Sequence, residues 1–273
     1  MFHPLECFIG LRYVRARARR GFVSFISLAS LLGIGLGVAA LIVILSVMNG
    51  FEAELRTRLL SMTAHASVSQ PATGFADWRS ARARLMAQPG VAGVSPFVAL
   101  EGMVGSGSNL SPAVVRGVLP EEEAAVSQLE RFFTIGSLAD LQADARRIVL
   151  GRILALTLGV GVGDRINLLV PRVEDGRLAP RLASFLVSGI FEAGIQDHDA
   201  GLALVHLSDA SQLKGLGGRA EGLAVRLQDP LRVGELRAGV DALDPALQYS
   251  DWTLENSSYF RVIMVFSIRM ARK

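Results

Sequence analysis

The sequence predicts an α+β protein in which one N-terminal transmembrane helix precedes a domain outside the membrane that carries an inserted second lobe. Three observations carry this expectation. Residues 21–51 hold no charged side chain. Five arginines (Arg12, Arg15, Arg17, Arg19, Arg20) crowd just before that stretch, opposed there only by Glu6. Further along, strand–helix–strand patterns stand on both sides of a middle region at 121–215.

The composition agrees. Of 273 residues, 51% are hydrophobic and the mean hydropathy is +0.39, too apolar for an average soluble protein and too polar for a polytopic one. The net charge is +3, but the first 21 residues carry +4 and the remainder −1. The basic character belongs to the N-terminus, which removes support for a nucleic-acid-binding body. The single cysteine, Cys7, excludes an intrachain disulfide. It precedes the apolar run, whereas an acylated lipoprotein cysteine follows one.

Residues 1–21 read as a cytoplasmic basic segment. Leu5, Phe8, Ile9 and Tyr13 share a helical face, interrupted by Arg12, as in a short amphipathic helix lying on the membrane surface. Residues 22–50 read as the transmembrane helix. From Phe22 to Met48 a helix extends roughly 40 Å, beyond the hydrocarbon core of about 30 Å. A cleaved signal peptide has an apolar region of only about 7–15 residues, and Ser46-Val47-Met48-Asn49-Gly50 lacks a small-x-small cleavage pattern. The preceding arginines set the orientation: N-terminus in the cytoplasm, the main domain outside. Gly33 and Gly37 form a G-x-x-x-G, either a notch for a second helix or the ordinary glycine content of membrane spans.

Helical pattern continues through Phe51–Leu60, and His65–Ser69 alternates as a strand does. Trp78–Gln88 reads as a basic helix stopped by Pro89-Gly90. Val91–Val104 and Ala113–Leu119 read as strands. Glu121-Glu122-Glu123 opens a helix with acids suited to its N-terminal dipole. Ile148–Leu158 reads as an apolar helix that ends in the glycines at 159, 161 and 163. Strands at Ile166–Val170 and Ala183–Ile190 flank the polar segment Pro171–Arg181. Leu202–Leu207 is a strand followed by a helix from Ser208. A strand (Gly222–Leu227), a helix (Leu231–Leu243) and a strand (Leu247–Ser250) close the domain.

The chain carries no positive signature of catalysis. Its histidines are His3, His65, His198 and His206, and only Asp197-His198-Asp199 resembles a metal cluster. Three consecutive residues cannot easily converge on one ion, so a solvated loop is expected and no metal site. The spaced glycines precede a strand, whereas a dinucleotide fingerprint follows one. Glu121–Glu123 are expected to be a solvated helix start. No G-x-S-x-G, Walker A or H-E-x-x-H sequence occurs.

Four strings in the N-terminal region carry a resemblance. They are Phe8-Ile9-Gly10-Leu11-Arg12-Tyr13, Phe22-Val23-Ser24-Phe25-Ile26-Ser27, Gly37-Val38-Ala39-Ala40-Leu41 and Leu45-Ser46-Val47-Met48-Asn49-Gly50-Phe51-Glu52. Together they resemble the opening of the LolC/LolE family, the permease subunits of the lipoprotein-releasing ABC transporter of the bacterial inner membrane. Gly151-Arg152, Gly163-Asp164 and Asp251-Trp252 continue the resemblance to about Arg261. It implies a periplasmic α+β domain after the first helix and release of lipoproteins from the inner membrane to a periplasmic carrier. The implied partners are a second permease subunit (or a homodimer), a cytoplasmic LolD-type ATPase that binds the ATP, a LolA-type carrier, lipoproteins and membrane lipid. No cofactor is expected in this chain.

The resemblance also implies site residues. Met48 and Phe51, at the outer end of the first helix, correspond to the wall of a cavity for acyl chains; ordinary helix packing is the alternative. Adaptable Met and broad Phe suit variable lipid chains. The connection Pro171–Arg181, with Pro171, Arg177, Leu178 and Pro180, corresponds to a loop that hooks the carrier, or is an exposed hairpin without a partner. The expected organisation is 51–120 with 216–260 as the main periplasmic domain, 121–215 as the inserted lobe, and 261–273 as a divergent tail. In the family three more membrane helices follow, so a chain ending this way reads as an N-terminal half, inactive alone.

Overall fold

In the computed structural model, the described residues are 9, 12, 21–62, 64–71, 73–171, 173–174, 177–244 and 247–255. The tail 261–273 lies outside them, as does the surface helix expected over Leu5–Tyr13 apart from the helical residues Ile9 and Arg12. The chain divides into two compact units at Thr57/Arg58.

The first unit is dominated by α1 (Gly21–Met62), a helix that itself extends into the second. Its segment Phe25–Gly50 has a mean hydropathy of 2.7 and is long and apolar enough to cross a membrane. Leu31, Leu32, Ile34, Leu36, Val38 and Leu41 leave it apolar around its whole circumference. Such a helix suits hydrocarbon rather than a half-solvated surface.

The second unit is built on one ten-stranded sheet. Its elements are β1 (Ala66–Ser69), α2 (Trp78–Met86), β2 (Val91–Ser106), β3 (Asn109–Val118), α3 (Pro120–Glu123), β4 (Phe133–Ile135), β5 (Arg147–Gly151), α4 (Arg152–Leu158) and β6 (Arg165–Val170). There follow β7 (Val173–Glu174), β8 (Arg177–Leu178), β9 (Arg181–Phe191), α5 (Gln196–Gly201), β10 (Leu202–His206), α6 (Leu207–Lys214), β11 (Gly222–Leu227), α7 (Val233–Leu243), β12 (Gln248–Asp251) and α8 (Trp252–Glu255). The pairings β2–β3–β10–β5–β9–β6 return to β2 through Met103–Leu169, so six of these strands close into a barrel. Closure removes free edges and gives the strands an inside and an outside.

Alternate residues fill the barrel. Val98, Leu100 and Val104 of β2 meet Ala113 and Val115 of β3, Ile166 and Leu168 of β6, and Phe185 and Val187 of β9. Leu154 and Leu158 of α4, with Leu207 and Ala210 of α6, complete that core. Two glycines permit the fit. A Cβ at Gly102 would lie 2.6 Å from the Leu169 carbonyl oxygen at the closing seam, and one at Gly117 would lie 2.3 Å from the Ala210 Cβ of α6.

β2 serves two layers. Residues 91–97 pair with β11, which pairs with β1 and then β12, and residues 97–106 lie in the barrel. A second core, with Val68, Trp78, Leu85, Val94, Leu223, Leu236 and Trp252, packs α2 and α7 on that extension. Two prolines sit where a strand lacks a second neighbour: β3 pairing stops at Phe97, beside Pro96, and β10 pairing begins at Val114, after Pro112. Neither position asks proline for the N–H it lacks.

Three sequence expectations change. Ile148–Leu158 is not one helix: its first part is β5, with Ile148, Val149 and Leu150 all fully buried between β10 and β9. A continuous apolar run looks the same for a two-sided buried strand and a buried helix. Glu121–Glu123 is a single turn, and Glu123 is buried rather than solvated, taking hydrogen bonds from Ser95 Oγ and Ser127 Oγ. Asp197-His198-Asp199 lies in α5, not in a loop, and Asp199 is buried.

Candidate functional site

On α1 the sequence-predicted positions Gly33, Gly37 and Met48 face open space. A Cβ placed on Gly33 or Gly37 meets nothing within 4 Å, and Met48 is 58% exposed. Phe51 lies on the same helix, with its side chain outside the described set. This is a bare apolar surface whose small-residue stripe leaves backbone accessible to a second helix.

In the second unit, β7 and β8 pair as a two-stranded ladder standing off the barrel. Its root is the β6–β9 pair, where Val170 stands opposite Arg181. Pro171 and Pro180 flank it and are exposed; Arg177 and Leu178 form β8, their side chains outside the described set. The fold thus brings Pro171, Pro180 and Arg181 to one place.

Beside that root runs a feature that sequence reasoning missed. On the barrel exterior Pro112, Met103, Leu169 and Leu182 stand opposite one another across β3, β2, β6 and β9. Leu182 is 67% exposed, and Leu110 and Val114 on the same face of β3 are 60% and 46% exposed. An apolar row across four strands is visible only once the register is known, because each strand alone contributes one or two residues.

A buried acid stands at the start of α6. Asp209 is buried, and burial together with the nearby Asp144 carboxylate raises its pKa to about 6, while the Arg146 backbone N–H and charge oppose that rise. Its Oδ2 has no hydrogen-bond partner. A cavity of about 200 Å³ beside it is lined by Arg146, Arg181, Ala183, Phe185 and Gln212. His206 caps α6, its ring Nδ1 accepting from the Ser208 N–H at 3.2 Å. Burial lowers its pKa, against Glu121 and Asp144, which raise it. Burial likewise lowers that of His198.

Asp199 and the resemblance-bearing Gly151, Gly163-Asp164 and Asp251-Trp252 hold structure together. Asp199 accepts from the N–H groups of Ala193 at 2.7 Å and Gly194 at 3.0 Å, and its backbone crosses so close to Gly151 that a Cβ there would lie 2.4 Å from the Asp199 carbonyl oxygen. Asp164 Oδ2 accepts from the Gly161 N–H, closing the turn with the left-handed Gly163. Asp251 caps α8 through Leu254 N–H, and Trp252 Nε1 donates to Pro230 O. Among the described residues no group of His, Cys, Asp and Glu has the geometry of a metal site.

Residues 27–243 match the model of the MacB-like periplasmic core domain. The lipoprotein-releasing system transmembrane protein LolC of Xylella fastidiosa (strain Temecula1) is 41% identical over 263 residues, covering 95% of this chain and 63% of that protein. LolC of Neisseria meningitidis serogroup B is 36% identical with the same coverage, and LolE of Haemophilus influenzae is 34% identical over 236 residues, 84% of this chain and 56% of that protein. The chain therefore spans less than two thirds of the length of these relatives. The periplasmic region of MacB from Actinobacillus actinomycetemcomitans overlays with a TM-score of 0.44 and 14% identity, across 75% of this chain and 94% of that one. The assignment rests on the sequence relatives: the chain carries a MacB-like periplasmic core domain and belongs to the LolC/LolE family.

Proposed function

We propose that this chain acts as a permease subunit of an ABC transporter that releases lipoproteins from the bacterial inner membrane to a periplasmic carrier. The observation that carries the reading is the 41% identity to a LolC protein across 95% of the chain, spanning membrane helix and outer domain together. The arginines before residue 21 hold the N-terminus in the cytoplasm and the barrel in the periplasm.

In this reading the chain does no covalent chemistry; a cytoplasmic ATPase supplies the work and a second permease subunit completes the membrane part. The outer end of α1, with the exposed Met48 and with Phe51, contacts acyl chains, and the Gly33/Gly37 stripe receives a neighbouring helix. The β7–β8 hairpin, with Pro171, Arg177, Leu178 and Pro180, contacts the carrier. The adjoining row Pro112–Met103–Leu169–Leu182 supports this, since it extends an exposed apolar surface from the hairpin root.

Photocrosslinking tests it. A photoreactive residue at 48 or 51 is expected to trap lipoprotein in membranes, and one at 180 or 182 to trap the carrier. Crosslinks from neither pair, with the chain present in the membrane, would refute the assignment. Carrier pull-down unchanged by joint substitution of Arg177, Leu178 and Pro180 would remove the hairpin from it.

A further inference from the structure

The segment Gln142–Arg146, just before β5, is held in an unfavourable shape by α6. Asp144 and Arg146 both adopt left-handed backbone conformations, with φ of +57° and +49°. Asparagine and aspartate tolerate that region; arginine does so rarely. Something must hold it there.

The restraints come from α6. The Asp144 N–H donates to Ser208 Oγ at 3.3 Å, and Gln212 Nε2 donates to Asp144 Oδ1 at 2.8 Å. The Asp209 carboxyl group, between Ser208 and Gln212 on α6, lines one cavity with Arg146 and Arg181. The same short segment is also tied to β9, because the Leu186 N–H donates to Arg146 O at 2.9 Å. Arg181, at the root of the β7–β8 hairpin, donates from Nη1 to Gln212 O at 3.5 Å. Asp209 therefore stands at the junction of α6, the strained segment and the hairpin root.

Its environment suits the neutral acid. The side chain is buried and Oδ2 has no partner. An ionised carboxylate there leaves a charged oxygen buried without a donor. The groups that face the cluster are Asp144 and Arg146 on the segment, His206 at the cap of α6, Glu121 at the start of α3 and Arg181 on β9. Asp144 repels the ionised form and Arg146 favours it; His206 already acts as an acceptor through Nδ1, the role of its neutral ring.

We propose that Asp209 and Asp144 form a proton-operated latch, closed when Asp209 is protonated and loosened when it ionises, which couples local acidity to the hold of α6 on segment 142–146 and on the root of the β7–β8 hairpin. The latch does not depend on what the hairpin binds.

The direction follows from linkage. In the closed state Asp209 keeps its proton up to about pH 6, against an ordinary value of 3.8. Opening therefore becomes easier as pH rises from 4 to 6, and between pH 5 and pH 7 the opening equilibrium grows about tenfold.

Hydrogen exchange of the full chain in detergent micelles reads this. After correction for intrinsic rates, amides of 144–148 and 181–187 are expected to exchange about tenfold faster, relative to those of β11, at pH 7 than at pH 5. Asp209→Asn should abolish that step. Should this variant not fold, Asp144→Asn, at an exposed position, should shrink the step by removing the repelling charge. A wild-type chain without the step, or either folded variant with an undiminished step, would overturn the proposal.

Discussion

Glu221 tests how the barrel is joined to the rest of the unit. Its side chain is only 9% exposed and closes a triangle across α6, β2 and the segment entering β11. Lys214 Nζ lies 2.6 Å from Glu221 Oε1 and 2.6 Å from Ala99 O, while the Ala99 N–H donates to Glu221 Oε2 at 2.8 Å. Glu221→Ala leaves the Ala99 N–H without an acceptor and a half-buried ammonium without its counter-charge. An unsatisfied buried donor costs about 1–3 kcal/mol, and breaking a buried ion pair about 3–5 kcal/mol. The two overlap, and Lys214 keeps 27% exposure, so the expected loss is about 3 kcal/mol. Both tryptophans, Trp78 and Trp252, are buried in the core beside the barrel, so intrinsic fluorescence in urea follows the unfolding. With a urea slope of about 2 kcal/mol per M, the midpoint should fall by about 1.5 M. Glu221→Gln keeps an acceptor and should lose less. Replacing the pair together, by Lys214→Met with Glu221→Leu, should recover only the part due to the stranded ammonium, since the Ala99 N–H still lacks its acceptor. Equal, small shifts below about 0.3 M for Glu221→Ala and Glu221→Gln would refute this reasoning.

Leu168→Ala removes a fully buried side chain of the barrel core and should cost about 2–5 kcal/mol in the same urea assay. Gly151→Ala forces a Cβ to 2.4 Å from the Asp199 carbonyl oxygen, and overpacking of this kind should destabilise by about 1–3 kcal/mol, with the loss recorded as a lower fluorescence midpoint. Asp209 holds a raised pKa of about 6, so its contribution is present in acid and lost as pH rises through 6; wild type should gain about 1 kcal/mol relative to Asp209→Asn on going from pH 7 to pH 5. Comparing the two chains cancels the opposite trend from His198 and His206, whose lowered pKa values weaken the fold in acid.

Legibility followed the range of the forces involved. The strand at Ala66–Ser69 and the helix at Trp78–Met86 could be read locally, because alternation and a proline–glycine stop act within a few residues. The segment Ile148–Leu158 could not be, because a strand buried on both faces has no polar side to give its period away. Glu123 and Asp199 looked solvated for the opposite reason: an isolated carboxylate is polar in any sequence, and only its neighbours show it buried. The hairpin position was legible through the resemblance, whereas the apolar row at its root was not, since it exists only across four strands in register.

The sequence by itself determined the membrane helix, its flanking charge and the family. Hydropathy and positive charge act along the chain, and 31 uncharged residues after five arginines need no partner to be understood. The tertiary structure alone decided that six strands close into a barrel, that β2 is shared between two cores, and that Asp209 Oδ2 is buried without a hydrogen-bond partner beside a strained segment. Those outcomes depend on contacts between residues far apart in sequence, such as Met103 with Leu169 and Asp144 with Gln212. The close approaches that allow them, at Gly102 and Gly117, arise only when distant backbone and side chains meet.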